Sequence, residues 1–140
     1  MKRIILCLLF CLFSNVCFGQ HFDNYSEAYW KGKTANKYVF VYFTMDNCRY
    51  CKMLEEQTFE DETVRDTLTQ HYVIGYCHIG NKDNLSWYKQ FKESLSRSNY
   101  DINGFPNYLL VDPMSGKIIR MGKGFKNPEN FLNWLRTNRE

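Results

Sequence analysis

The sequence predicts an α/β fold of three layers, with helices on both faces of a central mixed sheet. Three observations carry this. The apolar run Tyr38-Val39-Phe40-Val41-Tyr42-Phe43 has no polar alternation, as expected of a strand buried on both faces. Helix-period and strand-like segments then alternate along the chain, which calls for parallel strands joined by crossover helices. Near the end, Asp112-Pro113-Met114-Ser115-Gly116 separates two short strand-like runs, as a hairpin does.

Taken in order, His21 to Lys37 starts helical, with Phe22, Tyr25, Ala28 and Tyr29 on one face, Asp23 or Asn24 as cap, and Gly32 as its end. Lys37 to Met45 is a strand, and Thr44 to Asn47 is a loop. Cys48 to Gln57 is a helix, interrupted over Thr58 to Asp61 and resumed over Glu62 to Gln70, where Val64 and Leu68 lie one turn apart. Tyr72 to Ile79 is a strand rich in β-branched and aromatic residues. Gly80 to Asn84 is a turn. Leu85 to Leu95 is a helix with Leu85, Tyr88, Phe91, Lys92 and Leu95 on one face. Ser96 to Asn103 is a polar loop. Asn107 to Val111 and Lys117 to Met121 form the hairpin, and Gly122 and Gly124 break its second strand. Asn127 caps a last helix with Pro128 at its first position and Phe131, Leu132, Trp134 and Leu135 as its apolar face. Trp30, Trp87 and Trp134 fall at core or half-core positions by spacing.

The 140 residues suit one domain with a core that needs no disulfide staples. Met1-Lys2-Arg3 is a positive start, Ile4 to Phe13 is an unbroken apolar run about half the length of a membrane span, and Cys17-Phe18-Gly19 ends in the small residue that a signal cleavage site wants. Residues 1–19 therefore read as a secretory signal peptide and 20–140 as the mature domain. An uncleaved anchor is the alternative, disfavoured by the short run. Removing Lys2 and Arg3 takes 18 basic residues to 16 against 15 acidic, and the net charge from +3 to +1. That is no footprint for nucleic acid or for an anionic membrane. Three of the six cysteines leave with the leader, and Cys48, Cys51 and Cys77 remain. An odd count at these spacings reads as one reactive pair plus one thiol, in a compartment that permits disulfides.

Cys48-Arg49-Tyr50-Cys51 stands where the apolar strand gives way to the helix-favouring Lys52-Met53-Leu54-Glu55-Glu56. A cysteine at a helix start meets unpaired N–H groups and the positive end of the helix dipole, and both stabilise a thiolate. Cys48 is therefore the attacking thiol. Cys51, one turn inward, suits the resolving role in thiol–disulfide exchange. Arg49 adds positive charge beside the pair, and Tyr50 shapes the contact surface. The competing reading is half of a structural zinc site. Only Cys77, His21, His71 and His78 could complete it, and none repeats the Cys-x-x-Cys spacing. Cys77, in a core strand, reads as a small apolar filler. Pro106 begins a strand after Gly104-Phe105, a place where either proline isomer is compatible with the sequence.

Cys-x-x-Cys after a strand, then a helix, a βα unit, a strand opened by proline, a hairpin and a final helix resemble the thioredoxin fold over residues 37–138. The run Cys51-Lys52, Glu55 or Glu56, Thr58-Phe59, Asp61 and Val64 is similar to the subgroup that includes the C-terminal domain of membrane thiol:disulfide interchange reductases. The resemblance implies that the Phe105–Pro106 bond is cis, that Pro106 packs against the two sulfurs, and that Phe105 offers backbone hydrogen bonds to an extended substrate. The chain departs from common thioredoxins at Asn47, at Arg49-Tyr50 and at Tyr42. Tyr42 occupies the position of a buried aspartate beneath the resolving cysteine. Asp46, Glu55 or Glu56 must then serve as base if Cys51 needs one.

The reading is a secreted, periplasmic thiol–disulfide oxidoreductase that reduces protein disulfides through Cys48 and Cys51, with Pro106 completing the catalytic set and Arg49, Tyr50 and Phe105 tuning the groove. It is expected to be a monomer that needs no dissociable cofactor and no metal. Its partners are disulfide-bearing client proteins and an upstream electron donor, plausibly a membrane reductase. The same cycle run backwards, as a dithiol oxidase or isomerase, is the alternative that Arg49 favours. A thiol-based metal-binding or non-enzymatic binding module is the alternative from another class.

Overall fold

The computed structural model describes residues 21–97 and 103–136. The leader assigned to 1–19 and most of the polar loop after Ser96 lie outside the described residues. The strands are β1 (His21–Phe22), β2 (Val39–Thr44), β3 (Val73–His78), β4 (Asn107–Val111) and β5 (Ile118–Lys123). The helices are α1 (Tyr25–Ala35), α2 (Arg49–Leu54, continued by a π-helical turn over Glu55–Phe59), α3 (Glu62–His71), α4 (Lys82–Ser96) and α5 (Pro128–Arg136). The sheet order is β1-β3-β2-β4-β5, with β3 parallel to both β1 and β2, and β4 antiparallel to both β2 and β5.

All six residues of β2 are buried, and their alternation divides the interior. Val39, Val41 and Phe43 face one core, where α1 and α4 bring Tyr25, Ala28, Tyr88, Phe91 and Leu95. Phe40 and Tyr42 face the other, where α2, α3 and α5 bring Leu54, Val64, Leu68, Phe131 and Leu135. A strand between two helix layers has no polar face to present, hence its unbroken apolar sequence. The mixed α/β/α architecture expected from the sequence is the one observed.

Several elements differ from expectation. His21 and Phe22 pair with β3 as a short parallel strand instead of starting the first helix. Asn24 is the cap, its side chain accepting from the Glu27 N–H at 2.8 Å. Gly32 does not end α1. It lies buried inside the helix, because a Cβ there would come within 2.4 Å of Val39 Cγ2, and Asn36 in the left-handed conformation ends the helix instead. The helix after the motif does not stop at Thr58. It widens into the π turn, closed by Glu60 N–H to Glu55 C=O at 3.2 Å, and Asp61 then caps α3. Asn81 caps α4 and starts it three residues before Leu85, its side chain accepting from Asp83 and Asn84 N–H. Gly122 does not break β5. It lies within the strand, where the ring of Tyr108 fills the space a Cβ would need. Trp30 is exposed, with Lys33 over its ring, whereas Trp87 and Trp134 are half-buried. The last cap is as expected, with Asn130 N–H donating to Asn127 Oδ1 at 2.9 Å.

Candidate active site

The sheet register brings three separate segments to one end of the molecule. Phe43 pairs with Asn107, so Pro106 lies beside Thr44, where β2 releases the loop that leads to Cys48. Asn107 pairs with Lys123, and Gly124 N–H donates to Pro106 C=O at 2.9 Å, tying the loop after β5 to the proline. The third segment is the end of β3, where His78 pairs with Thr44. Sites in open α/β sheets gather at such carboxyl ends, where loops diverge and side chains are free to converge.

Cys48 is the cap of α2, and its Sγ accepts the Cys51 N–H at 3.2 Å. The two sulfurs are bonded to one another, with the Cα atoms 5.2 Å apart. Cys48 is half-buried at the surface, whereas Cys51 is buried among Leu54, Tyr42 and Phe131. The two sulfurs thus differ in exposure, that of Cys48 lying nearer the surface and that of Cys51 enclosed. When the pair is reduced, the N–H that now points at Cys48 Sγ, together with the helix dipole, favours its thiolate. Arg49 and Tyr50 follow on the outer face, both exposed, Tyr50 by 55%.

The Phe105–Pro106 peptide is cis, as the resemblance implies. Pro106 is buried, and the ring of Phe105 stacks at 5.0 Å on Tyr88 from α4. The side-chain amide of Asn107 donates back to Gly104 C=O, closing the turn before the proline, and Gly104 has a φ of +87° that side chains rarely adopt. Met45, 41% exposed, and Tyr50 give the face around the disulfide an apolar character suited to another protein's backbone and side chains.

Below the pair the structure separates the three candidate bases. Asp46 is exposed and its Oδ1 lies 3.0 Å from His78 Nε2. Glu56 is exposed and paired with Lys52 at 3.7 Å. Glu55 alone turns inward. Its Oε1 accepts the hydroxyls of Tyr42 at 2.9 Å and Tyr76 at 2.5 Å. Tyr42 also reaches the Cys51 C=O at 3.4 Å. Burial pushes both phenols well above their ordinary range, and the bond to Glu55 adds to that shift for each, so both remain donors at neutral pH. Tyr76 is the residue that sequence reasoning missed. Its signal was its pairing with Tyr42 across β2 and β3, which sets both rings on one face and depends on a register the sequence does not print.

Cys77 is fully buried, and burial pushes its thiol up to about 12, as befits a filler. His71, His78 and His21 do not gather around it. Among the described residues no group of three or more histidine, cysteine, aspartate or glutamate side chains is placed to hold a metal. Among the described residues, too, no helix is long and apolar enough to cross a membrane.

Comparisons with known proteins agree with this geometry. The chain is 22% identical over 101 residues to the disulfide bond reductase DsbH of Chlamydia pneumoniae, covering 71% of this chain and 61% of that protein's length. Among solved structures, a thioredoxin from Thermus thermophilus superposes with a TM-score of 0.70 at 19% identity, over 84% of this chain and 85% of that one. The oxidised C-terminal domain of DsbD from Neisseria meningitidis superposes with a TM-score of 0.63 at 18% identity, over 86% and 100%. A thioredoxin-like domain profile matches residues 25–139. With its cysteine pair at the helix cap, the chain belongs to the thioredoxin-like domain family.

Proposed function

We propose that this protein is exported to the periplasm and reduces disulfide bonds in client proteins there. The observation that carries the reading is the unequal pair at the α2 cap, with Cys48 reachable and Cys51 buried one turn below it. The Cys48 thiolate attacks one sulfur of a client disulfide and expels the other. Cys51 then attacks Cys48 Sγ, closes the internal disulfide and releases the reduced client. Pro106 and Phe105, beside the motif loop and tied to the loop after β5, form the floor along which the client's extended chain lies, and Arg49 and Tyr50 border it. The similarity to the Chlamydia disulfide bond reductase supports the direction. The apolar leader supports export, and a membrane-bound dithiol donor would return the pair to its reduced state.

The opposite direction has one observation in its favour. Arg49 is exposed beside Cys48 and stabilises its thiolate, which makes the disulfide more oxidising. Equilibration of residues 20–140 in glutathione buffers, with the Cys48–Cys51 state trapped and counted, decides between them. A potential near about −250 mV or lower is expected of the reductase, and one near about −120 mV would make the protein an oxidant instead.

A further inference from the structure

We propose that the pole opposite the dithiol, formed where α1 ends against the turn between β4 and β5, docks on the surface of an anionic lipid bilayer and leaves the dithiol facing away from it. The inference goes beyond the thiol–disulfide reading and does not depend on it.

β2 and β3 end beside the motif loop, so their first residues, Val39 and Val73, mark the opposite pole. Three segments converge there. Asn36 ends α1, and Lys37 N–H donates back to Gly32 C=O at 3.0 Å. Val39 pairs with Val111, which brings the next turn alongside, and Asp112 N–H closes that turn on Lys117 C=O at 2.9 Å. The end of α1 packs on it. A Cβ on Gly32 would stand 3.4 Å from Pro113 Cβ, and one on Gly116 would stand 3.5 Å from the Tyr29 hydroxyl. α5 finishes at the same pole, where the Tyr72 hydroxyl donates to Leu135 C=O at 3.3 Å.

Two large apolar side chains at this pole are left in water. Trp30, 61% exposed, stands edge-on to Tyr29, and Met114, 63% exposed, is at the tip of the turn that Tyr29 reaches. No large apolar side chain among the described residues is more exposed than these two. Tyr38, at the start of β2, is exposed as well. Around them stand Lys31, Lys33, Lys37 and Lys117, all exposed, with Lys33 Nζ 5.2 Å from the centre of the Trp30 ring. The carboxylate of Asp112 is engaged within its own turn, accepting Met114 N–H at 2.9 Å and the Ser115 hydroxyl at 2.7 Å. The dithiol end is mixed instead, with Asp46, Glu56 and Asp83 among Arg49, Lys52 and Lys82. Summed over the chain the charge is nearly balanced, which is why the sequence predicts no anionic surface as partner. The fold places the balance unevenly.

Helix dipoles account for part of this. Lys33 and Arg136 occupy the last turns of α1 and α5, where a cation is favoured. They do not account for Lys31 or Lys117, nor for the exposed Trp30 and Met114 among these charges. The chemistry of the patch favours lipid over protein. Protein interfaces are depleted in lysine. Lysine stems and the amphipathic rings of tryptophan and tyrosine suit the boundary between headgroups and water. Trp30 and Met114 enter that boundary, and the lysines meet lipid phosphates. The six residues of β2 span about 20 Å, so the dithiol stands at least that far from the bilayer, open to clients in the aqueous phase.

Oxidised protein of residues 20–140, which contain every described strand and both cores, is mixed with sucrose-loaded vesicles. The vesicles are phosphatidylcholine alone or phosphatidylcholine with an equal share of phosphatidylglycerol, and the bound fraction is measured after centrifugation. The protein is expected to sediment with the mixed vesicles and not with phosphatidylcholine alone, and partitioning should fall at least about tenfold as salt rises to about 0.5 M. Lys31→Glu and Lys117→Glu are each expected to weaken partitioning at least about fivefold. Trp30→Ser should also weaken it at least about fivefold. Lys82→Glu makes the same change of charge at the dithiol end, more than a screening length away, and should lose less than about twofold. All four side chains are exposed, so the comparison is between folded proteins. Protein that stays in the supernatant with both vesicles, or binds both alike, overturns the inference. So does a loss in Lys82→Glu equal to that in Lys117→Glu, or unchanged partitioning in Trp30→Ser. Insulin reduction by the same preparation tests the dithiol reading separately, because partitioning is measured without turnover.

Discussion

Cys48 stands half-exposed at a helix cap and Cys51 is 2% exposed one turn further in, so the two thiols are not interchangeable. Cys51→Ser should trap a Cys48-linked client as a stable mixed disulfide, visible as a higher-mass band on non-reducing gels. Cys48→Ser should form no such band and should lose turnover in an insulin-reduction assay. Turnover retained in Cys48→Ser would end the enzymatic reading. Cys77 behaves differently from both. Its side chain is fully buried in the core shared with α1 and α4, and its thiol is held up to about 12 from an ordinary 9.0 by burial first and by Asp83 and Asp23 second. Oxidised, folded residues 20–140 should therefore show no titratable thiol with Ellman's reagent at pH 8, and one after denaturation.

At the scale of elements, the close approach of a helix or strand to its neighbour depends on having no side chain at two positions. Gly32 brings α1 against Val39, and Gly122 lets the Tyr108 ring lie across β5. Gly122→Ala should cost about 1–3 kcal/mol in urea unfolding, because the backbone must shift to admit the methyl. The caps are smaller contributors. Asn127→Ala removes the acceptor for Asn130 N–H at the start of α5 and should cost about 1 kcal/mol. The π turn has tertiary causes at both ends: Thr58 donates to the Lys126 C=O ahead of α5, and Glu55 is tied to β2 and β3. Such turns recur at functional sites because they rotate side chains that a regular helix would aim elsewhere.

At the scale of the whole molecule, two cores on one sheet bury several groups that ionise in the alkaline range. Tyr25, Tyr42, Tyr76 and Tyr108 are all held above their ordinary value, chiefly by burial, and Cys77 is held near 12. Unfolding frees each to ionise at its ordinary value. The unfolded chain then binds fewer protons than the folded one, and stability falls as pH rises. The stabilisation is fully present below about pH 9 and is lost between there and about pH 12 for Cys77, with the tyrosines adding to the slope from about pH 10. Denaturant unfolding at pH 8, 9, 10 and 11 should show this decline, and Cys77→Ala should flatten its first part. An equal slope in the variant would mean that the thiol ionises alike in both states.

The apolar continuity of Tyr38 to Phe43, the Cys-x-x-Cys at a strand-to-helix junction and the Asn127-Pro128 cap are local signals, and each was legible in the sequence because its physics is local. The central strand, the dithiol helix and the last helix lie where those signals place them. The two-residue strand at His21 was not legible, because its only reason to be extended is the edge of β3 beside it. Gly32 and Gly122 read as breakers for the same reason, since the neighbours that require a missing side chain are distant in sequence. The sequence also left Asp46, Glu55 and Glu56 equal. A parallel register that sets Tyr42 beside Tyr76 turned only Glu55 inward, and side chains brought together across strands are decided by pairing, which a single chain written in one dimension does not contain.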